Sequence, residues 1–284
     1  TNHPHRDFSD AAHRHSAEDA LSDMEMRLPL AIAPVVSGTE RKDGKETKQL
    51  CPWQTEKTVS RTMLATREDA EVALKDAQSA GQRWRKLGFE KRADILDKAA
   101  DALAQNWQEL FALQVFEAGK DWHSADADIA EAIDFLRFYA EQARHLESHF
   151  QPQSLWGEEN TLYYEPKGVA VVIAPWNFPL AISAGMTAAN LVAGNPVLYK
   201  PAEQTSGIGK QMYDAFIKAG VAKDVLHFIP ADGARVGSQL VSHPDVALIS
   251  FTGSKAVGLQ ILEEAGKVHG EQGQNHVKKC VIEM

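Results

Sequence analysis

The spacing of apolar residues changes near the middle of the chain. After Gly168, short uninterrupted apolar runs alternate with segments of helical length. Such runs are typical of parallel strands buried on both faces, and right-handed crossovers place helices on both sides of the sheet. The pattern therefore predicts an α/β fold with a doubly wound, Rossmann-like parallel sheet. The predicted strands are 169–174, 196–200, 225–229, 247–251 and 279–282.

Helical spacing dominates the first half of the chain. Apolar residues at positions i, i+3, i+4 and i+7 predict helices over 68–87, 91–106, 107–118 and 125–146. Two β-branched runs, 29–37 and 58–65, predict strands joined by a charged surface turn. A Gly-bearing stretch of strand character at 154–164 predicts a β-hairpin arm that extends from the domain and serves oligomerisation.

These elements divide the chain into four segments. Residues 1–27 are polar, His-rich and acidic, which predicts a mobile leader or linker with solvated histidines rather than a metal tract. Residues 28–150 hold the first strands and the helices, 151–167 hold the arm, and 168–284 hold the parallel sheet. The chain begins without methionine and stops inside an apolar run, so we expect a piece of a longer protein.

Composition narrows the class of protein. The chain has 284 residues, of which 44% are hydrophobic and 24% are charged, as is usual for a folded globular protein. Its net charge of −9 disfavours nucleic acid and anionic membrane surfaces as partners. The uncharged stretch 168–199 is interrupted by prolines and asparagines, so membrane insertion is not expected. Two cysteines without zinc-ligand spacing suit a reducing, cytoplasmic compartment and predict no metal site.

Polar residues follow the predicted strands at their carboxyl ends, where ligands bind in doubly wound sheets. After the first strand, two prolines flank a turn with Asn177, whose amide could donate to a developing oxyanion. Alternatively, an asparagine could occur at this position only because its side chain suits the geometry of the turn. Glu283 follows the last strand. It could act as a general base, or it could simply be the first polar residue after the strand. Cys280, inside that strand, is predicted to be buried and unreactive.

Further residues at the same edge suit a dinucleotide. Glu203 follows the second strand, where a carboxylate can accept hydrogen bonds from a ribose, which favours NAD over its 2′-phosphorylated form. Taken alone, Lys200 and Glu203 are more often a solvated pair. Gly253 and Gly258 flank the entry to a helix after the fourth strand. Glycine lets the backbone approach a pyrophosphate there, and the helix N-terminus offers N–H groups.

Taken in order, these motifs resemble the aldehyde dehydrogenase superfamily. The series is IAPWNFP at 173–179, YKPAEQT at 199–205, FTGSKAVG at 251–258 and IEM at 282–284, and the likeness extends over residues 29–284. The resemblance implies an NAD-dependent oxidoreductase acting on a small-molecule aldehyde. It also implies that Asn177 is the oxyanion-hole amide and Glu283 the general base.

The resemblance implies a cofactor site as well. Lys200 and Glu203 would bind the adenosine ribose. Ser254 would bind the pyrophosphate, and Trp176 would form a wall of the nicotinamide pocket. The full set of cofactor residues that it implies is Ile173, Pro175, Trp176, Lys200, Glu203, Gly233, Gly237, Phe251, Thr252, Gly253, Ser254 and Gly258.

A narrower likeness indicates the substrate. Residues 2–9, 131–139 and 200–205 are similar to family members that oxidise L-glutamate γ-semialdehyde to L-glutamate in proline catabolism. The likeness is greatest to those fused behind proline dehydrogenase, and it implies a homo-oligomeric parent enzyme. By this resemblance Glu131 faces the substrate end of the pocket; a plain helix-surface carboxylate is the alternative. Another ω-carboxy aldehyde, such as succinic semialdehyde, or a non-catalytic nucleotide-binding module are the other hypotheses.

The sequence departs from the family pattern at its end. In the family, the nucleophilic cysteine lies a few dozen residues beyond the glutamate, whereas this chain ends one residue after Glu283. The resemblance therefore implies a cofactor-binding half without the nucleophile, the catalytic domain or the loop that anchors the substrate. We expect such a piece to be inactive by itself.

Overall fold

The computed structural model describes residues 2–148, 152–267 and 277–284. Its helices are α1 (Ala11–Arg27), α2 (Arg67–Lys86), α3 (Phe89–Gln105), α4 (Trp107–Ala118), α5 (Trp122–Ser148), α6 (Ala181–Val192), α7 (Ser206–Ala219), α8 (Ser238–Ser242) and α9 (Lys255–Gly266). Its strands are β1 (Leu30–Ile32), β2 (Val35–Val36), β3 (Thr39–Glu40), β4 (Glu46–Cys51), β5 (Gln54–Met63), β6 (Val169–Ile173), β7 (Val197–Lys200), β8 (Leu226–Phe228), β9 (Val246–Thr252) and β10 (Lys279–Glu283).

A seven-stranded sheet in the order β10-β9-β6-β7-β8-β2-β3 lies at the centre of the described structure. Strands β6 to β10 pair with one another in parallel, which confirms the predicted five-stranded parallel sheet. Strands β2 and β3 extend it with an antiparallel edge. The prediction was possible because β6 and β7 are apolar and buried along most of their length.

Two apolar layers cover the faces of this sheet. Successive side chains of a strand point to opposite faces, so Val172 and Tyr199 join one layer, with side chains of α3 to α7. Val171 and Leu198 join the other, with side chains of α2, α8 and α9. Helices α3 to α5 therefore share a core with one face of the parallel sheet, while α2 packs mainly on the other face.

Helices α2 to α5 agree with the four predicted helical segments within a few residues. The side chain of Thr66 accepts the Asp69 N–H at 3.1 Å, and the Asp69 carboxylate accepts the Thr66 N–H at 2.9 Å. This reciprocal capping box starts α2. Helix α4 ends at Gly119, whose φ of 68° lies in the left-handed region that glycine adopts without strain.

The first strands differ from their prediction. The run 29–37 was predicted as one strand, but it holds β1 and β2, which belong to different sheets. Pro34 lies between them and has no N–H to continue the ladder. Strand β4 was not predicted because its exposed and half-buried positions alternate without an apolar run. It forms an antiparallel hairpin with β5, whereas β1 pairs with β5 in parallel.

Residues 1–27 were predicted to be a mobile leader or linker. The described residues 2–27 pack against the helical part of the protein, so the predicted mobility is wrong. Helix α1 buries Ala17, Ala20 and Met24, and the ring of Phe8 lies 5.5 Å from that of Trp122 at the start of α5. The Arg6 N–H donates to the Asp126 carboxylate of α5 at 2.8 Å. The buried face of α1 has only about one apolar residue per turn. The apolar pattern of the sequence therefore did not predict this helix.

The predicted hairpin arm is not formed over residues 152–167, which have turn and irregular backbone in the structure. Residue 151 lies outside the described residues. Several apolar side chains of this segment are exposed, including Trp156 and Tyr163. A two-stranded hairpin is marginally stable in water unless further structure packs against it. The oligomerisation role of the segment stays a prediction.

Candidate functional site

The carboxyl ends of β6, β7, β9 and β10 border a groove of about 620 Å³. Its walls include Asn177, Lys200, Glu203, Ser254 and Glu283. These residues are far apart in sequence and meet because parallel strands end at the same edge of the sheet. Five further predicted site residues line the same groove: Pro175, Trp176, Phe251, Thr252 and Gly253.

A second groove of about 720 Å³ adjoins the first along Lys200 and Val257. The remaining predicted cofactor residues Ile173, Gly233 and Gly237 line it. Gly258 belongs to neither of these two grooves. A Cβ at position 258 would lie 2.5 Å from Met284 Sδ, so this glycine allows α9 to pack closely against the end of β10.

The turn between β6 and α6 presents Asn177 at the surface of the groove. Asn177 Oδ1 accepts the Phe178 N–H at 3.1 Å, which leaves the amide NH₂ group to donate elsewhere. Within the described part of the chain this NH₂ group has no acceptor. The flanking rings of Trp176 and Phe178 are 58% and 44% exposed. An amide donor among partly exposed aromatic rings suits an oxygen atom that gains negative charge.

Glu283 lies at the same edge, directly opposite Thr252 in the pairing of β10 with β9. Thr252 Oγ1 donates to Glu283 Oε2 at 3.2 Å, and the Gly253 N–H donates to the Glu283 carbonyl at 3.2 Å. The Glu283 side chain is exposed. An exposed carboxylate held by a neighbouring strand can take a proton from a water molecule in the groove.

Lys200 is buried at the end of β7. Burial lowers the pKa of its ammonium, and the carboxylates of Glu203 and Asp232 raise it. Lys200 Nζ donates to the Pro201 carbonyl at 3.3 Å, which leaves ammonium protons for a ligand hydroxyl. Glu203 Oε1 accepts the Gly233 N–H at 3.3 Å. A buried cation beside a carboxylate acceptor therefore fits the vicinal hydroxyls of a ribose.

The entry to α9 fits a phosphate group. Ser254 caps the helix by accepting the Val257 N–H at 3.4 Å, and the first N–H groups of a helix lack intrahelical acceptors. A Cβ at Gly253 would lie 2.6 Å from the Phe251 ring, so glycine leaves room for that ring beside the entry to the helix. The residues at this edge of the sheet thus fit both the ribose and the pyrophosphate of a dinucleotide.

Glu131 lies outside this arrangement. It borders a separate groove of about 720 Å³ on α5, together with Asp134 and Phe138. Burial and the neighbouring Asp128 carboxylate raise the pKa of Glu131, while the Lys120 ammonium lowers it. The structure therefore does not bring Glu131 into the groove with Asn177 and Glu283.

Two buried carboxylates beside the site were not predicted. Asp128 of α5 accepts the Ala181 N–H at 3.0 Å, and Glu117 of α4 accepts the Gly207 N–H at 2.9 Å. Each carboxylate caps a helix that follows a strand of the parallel sheet. A signal was present, because both residues fall among apolar neighbours on the buried faces of their helices.

Neither cysteine reaches the groove. Cys51 is buried at the end of β4. Cys280 was predicted to be buried, but β10 is the edge strand of the sheet, so it is only half-buried. Burial raises the pKa of its thiol, and its side chain faces away from that of Glu283 because strand positions alternate.

Among the described residues, no cluster of His, Cys, Asp or Glu could hold a metal ion, and no helix is long and apolar enough to cross a membrane.

Comparisons with known proteins agree with this geometry. The model of the aldehyde dehydrogenase family matches residues 39–284. A 1-pyrroline-5-carboxylate dehydrogenase of Geobacillus sp. (strain WCH70) is 42% identical over 281 residues, which are 99% of this chain and 54% of that protein. The chain spans about half the length of the curated relatives it matches.

Two solved structures share the fold. Proline utilization A from Bdellovibrio bacteriovorus superposes with a TM-score of 0.94 at 41% identity, over 100% of this chain and 29% of that one. The 1-pyrroline-5-carboxylate dehydrogenase from Thermus with bound NAD superposes with a TM-score of 0.95 at 35% identity, over 99% of this chain and 55% of that one.

Proposed function

The chain belongs to the aldehyde dehydrogenase family, and we propose that the protein containing it oxidises L-glutamate γ-semialdehyde to L-glutamate with NAD. The observation that carries this proposal is the convergence of Asn177, Glu283 and the Lys200–Glu203 segment in one groove. The identity of 42% to a 1-pyrroline-5-carboxylate dehydrogenase supports the substrate, because pyrroline-5-carboxylate is the cyclic imine of that semialdehyde.

In this proposal, the residues of the chain orient and stabilise the reacting groups. The Asn177 amide donates to the aldehyde oxygen as negative charge develops on it during nucleophilic attack. Glu283 removes a proton from the water that releases the acid. The attacking thiolate comes from outside this chain, since Cys51 and Cys280 lie away from the groove. NAD, when bound, supplies the electron acceptor.

Different residues of the chain bind different parts of NAD. Lys200 and Glu203 bind the adenosine ribose, while Ser254 and the first turn of α9 bind the pyrophosphate. Trp176 and Pro175 border the nicotinamide. The Glu203 carboxylate favours NAD over NADP, because it repels a 2′-phosphate. Phe251, Thr252 and Gly253 of the same groove, with Ile173, Gly233 and Gly237 of the adjoining groove, complete the site.

The proposal extends to the assembly. A homo-oligomeric enzyme in the cytoplasm, fused to proline dehydrogenase, is the parent protein that we propose. The similarity to proline utilization A, of which this chain covers 29%, supports the fusion. The substrate-side role of Glu131 is also part of the proposal, and its position in the wall of the groove on α5 supports a binding role for its carboxyl group.

The test is a substrate comparison with the full-length protein. NADH formation is measured with glutamate γ-semialdehyde and with succinic semialdehyde, for the native protein and for Asn177→Ala. We expect a higher kcat/KM for glutamate γ-semialdehyde and a loss of about 10²-fold or more in kcat for the variant. Equal kcat/KM for the two aldehydes would contradict the substrate, and an unchanged kcat in Asn177→Ala would contradict the oxyanion role.

A further inference from the structure

Helix α6, which follows the turn with Asn177, starts without a cap from its own sequence. Leu180 occupies the N-cap position, and its side chain makes no capping hydrogen bond. The acceptor comes from α5 instead. Asp128 Oδ1 accepts the Ala181 N–H at 3.0 Å, and Asp128 Oδ2 accepts the Leu180 N–H at 3.4 Å. A carboxylate at a helix N-terminus is favoured by both hydrogen bonding and the helix dipole.

The Asp128 carboxylate is fully buried and cannot turn to solvent. Its side chain is 0% exposed, and its counter-charge is Lys120 Nζ, which lies 3.2 Å from Oδ2 and whose side chain is 10% exposed. Gln114 Nε2 also donates to Oδ2. A buried charge needs such pairing, and removal of one partner leaves the other uncompensated. Lys120, Gln114 and the two N–H groups at the start of α6 therefore fix the position of the carboxylate.

Lys120 contacts the turn itself. Its Nζ lies 4.5 Å from the centroid of the Phe178 ring, within the range of a cation–π interaction. Phe178 follows Asn177, and its N–H is the donor to Asn177 Oδ1. The ion pair of Lys120 and Asp128 thus contacts the turn directly after Asn177 and again at the start of α6.

We infer that Asp128 and Lys120 are positioning residues that hold the Asn177 amide where the aldehyde oxygen binds. This inference rests on the proposed function, in which Asn177 donates to that oxygen. On its other side, the turn is fixed directly after β6, where the Ala174 N–H donates to the Lys200 carbonyl at 3.2 Å. Without the Asp128 carboxylate, the first N–H groups of α6 lose their charged acceptor and the amide shifts. A displacement of about 1 Å at a catalytic group can cost about 10²-fold in rate.

Asp126 provides a matched control on the same helix. It is also buried, and its carboxylate accepts the Trp107 Nε1–H at 2.7 Å and the Arg6 N–H at 2.8 Å. These partners belong to α4 and the N-terminal segment, away from the turn with Asn177. An Asp126→Asn variant removes a buried charge from α5 without touching that turn.

The experiment compares Asp128→Asn and Asp126→Asn in the full-length protein. We expect Asp128→Asn to lower kcat about 10- to 100-fold, with the KM for NAD within about twofold of native. Asp126→Asn should leave kcat within about twofold. Crystal structures of both variants should show the Asn177 amide displaced in Asp128→Asn alone. Equal kcat values for the two variants, or an undisplaced amide, would overturn the inference.

A double variant separates positioning from a general structural effect. If Asp128 acts through Asn177, then Asp128→Asn should cost less than about twofold in kcat in an Asn177→Ala background. The same cost in both backgrounds would overturn the inference. An unchanged kcat in Asn177→Ala alone would instead contradict the proposed oxyanion role, so the two failures are distinguishable.

Lys120 provides a second pair of variants if Asp128→Asn does not fold. Lys120→Met removes the charge and keeps an apolar side chain of similar length, while Lys120→Arg keeps a cation for Asp128 and for the Phe178 ring. We expect a loss in kcat for Lys120→Met and at least partial rescue by Lys120→Arg. Equal kcat in the two Lys120 variants would overturn the role of its charge.

Discussion

The Glu117 carboxylate of α4 lies so close to Gly207 of α7 that a Cβ at position 207 would be 2.8 Å from Glu117 Oε1. Oε1 accepts the Gly207 N–H and Oε2 accepts the Ile208 N–H, both at 2.9 Å. Glycine at 207 thus lets a buried side chain reach the first turn of a helix. Because α7 directly follows the turn with Glu203, this contact fixes one wall of the groove to α4.

Glu117 should make the stability of the protein depend on pH. Burial raises its pKa to about 7, although hydrogen bonds from Ile208, Gly207 and Ser60 lower it. Between pH of about 4.5 and 7 the carboxyl is protonated when folded and ionised when unfolded, so the free energy of unfolding falls as pH rises through that window. The full effect is of order 3 kcal/mol. Thermal unfolding followed from pH 5 to 8 measures it.

The control for this prediction is Glu117→Gln, which cannot ionise. We expect its Tm to vary less with pH than that of the native protein, with the difference arising between about pH 4.5 and 7. Parallel Tm profiles for the two proteins would show that Glu117 does not titrate in that window.

Replacement of Glu283 should affect turnover more than cofactor binding. Glu283→Gln keeps a hydrogen-bond acceptor for Thr252 Oγ1, which donates to Glu283 Oε2 at 3.2 Å, but it removes the base. We expect kcat to fall about 10²- to 10⁴-fold, with the Kd of NAD within about twofold. Steady-state kinetics and calorimetric titration of the full-length protein measure the two effects. A loss of NAD binding that matches the loss of kcat would assign Glu283 to the cofactor instead.

Cofactor preference should depend on the charge of Glu203. Glu203→Gln keeps an acceptor for the Gly233 N–H, which lies 3.3 Å from Oε1, and removes the repulsion of a 2′-phosphate. We expect the ratio of the Kd values for NADP and NAD to fall, mainly through tighter binding of NADP. Calorimetric titration of both nucleotides gives the ratio. Native protein that binds NADP as tightly as NAD would rule out this role of Glu203.

The 284-residue chain alone should not oxidise aldehydes. Its two cysteines are Cys51, buried at the end of β4, and Cys280, half-buried on β10, and neither faces the groove. Without a thiolate at the aldehyde carbon the covalent intermediate cannot form. The measurement is NADH formation with glutamate γ-semialdehyde, alongside the full-length protein at equal concentration. Turnover equal to that of the full-length protein would require a nucleophile within this chain.

The parallel sheet and its polar edge were predictable because both follow from local patterns. Strands β6 to β9 contain apolar runs, and the residues that follow them, such as Asn177 and Glu203, must meet at one edge. Strand β4 carries no apolar run, so it was not found. The packing of residues 2–27 was also missed, since its partners lie about 100 residues away, as Phe111 and Trp122 do for Phe8.

The residues that hold the site in place were harder to predict than the residues that line it. Asp128 and Glu117 are single polar residues within helices, and their acceptor roles depend on which helix packs beside them. Ala181 lies 53 residues after Asp128, and Gly207 lies 90 residues after Glu117. Local spacing contains no information on such partners. It could only have indicated that a carboxylate on an apolar face needs donors.

The two carboxylate caps also limit how this fold can recombine. Helices α6 and α7 belong to the segment 168–284, yet the acceptors for their first N–H groups come from Asp128 and Glu117 of the preceding segment. A chimera that exchanges 168–284 between relatives inherits its strand-end residues but not the carboxylates that hold two of its helices. Viable crossovers must therefore carry matching residues at 117 and 128, so the two segments are expected to be inherited together.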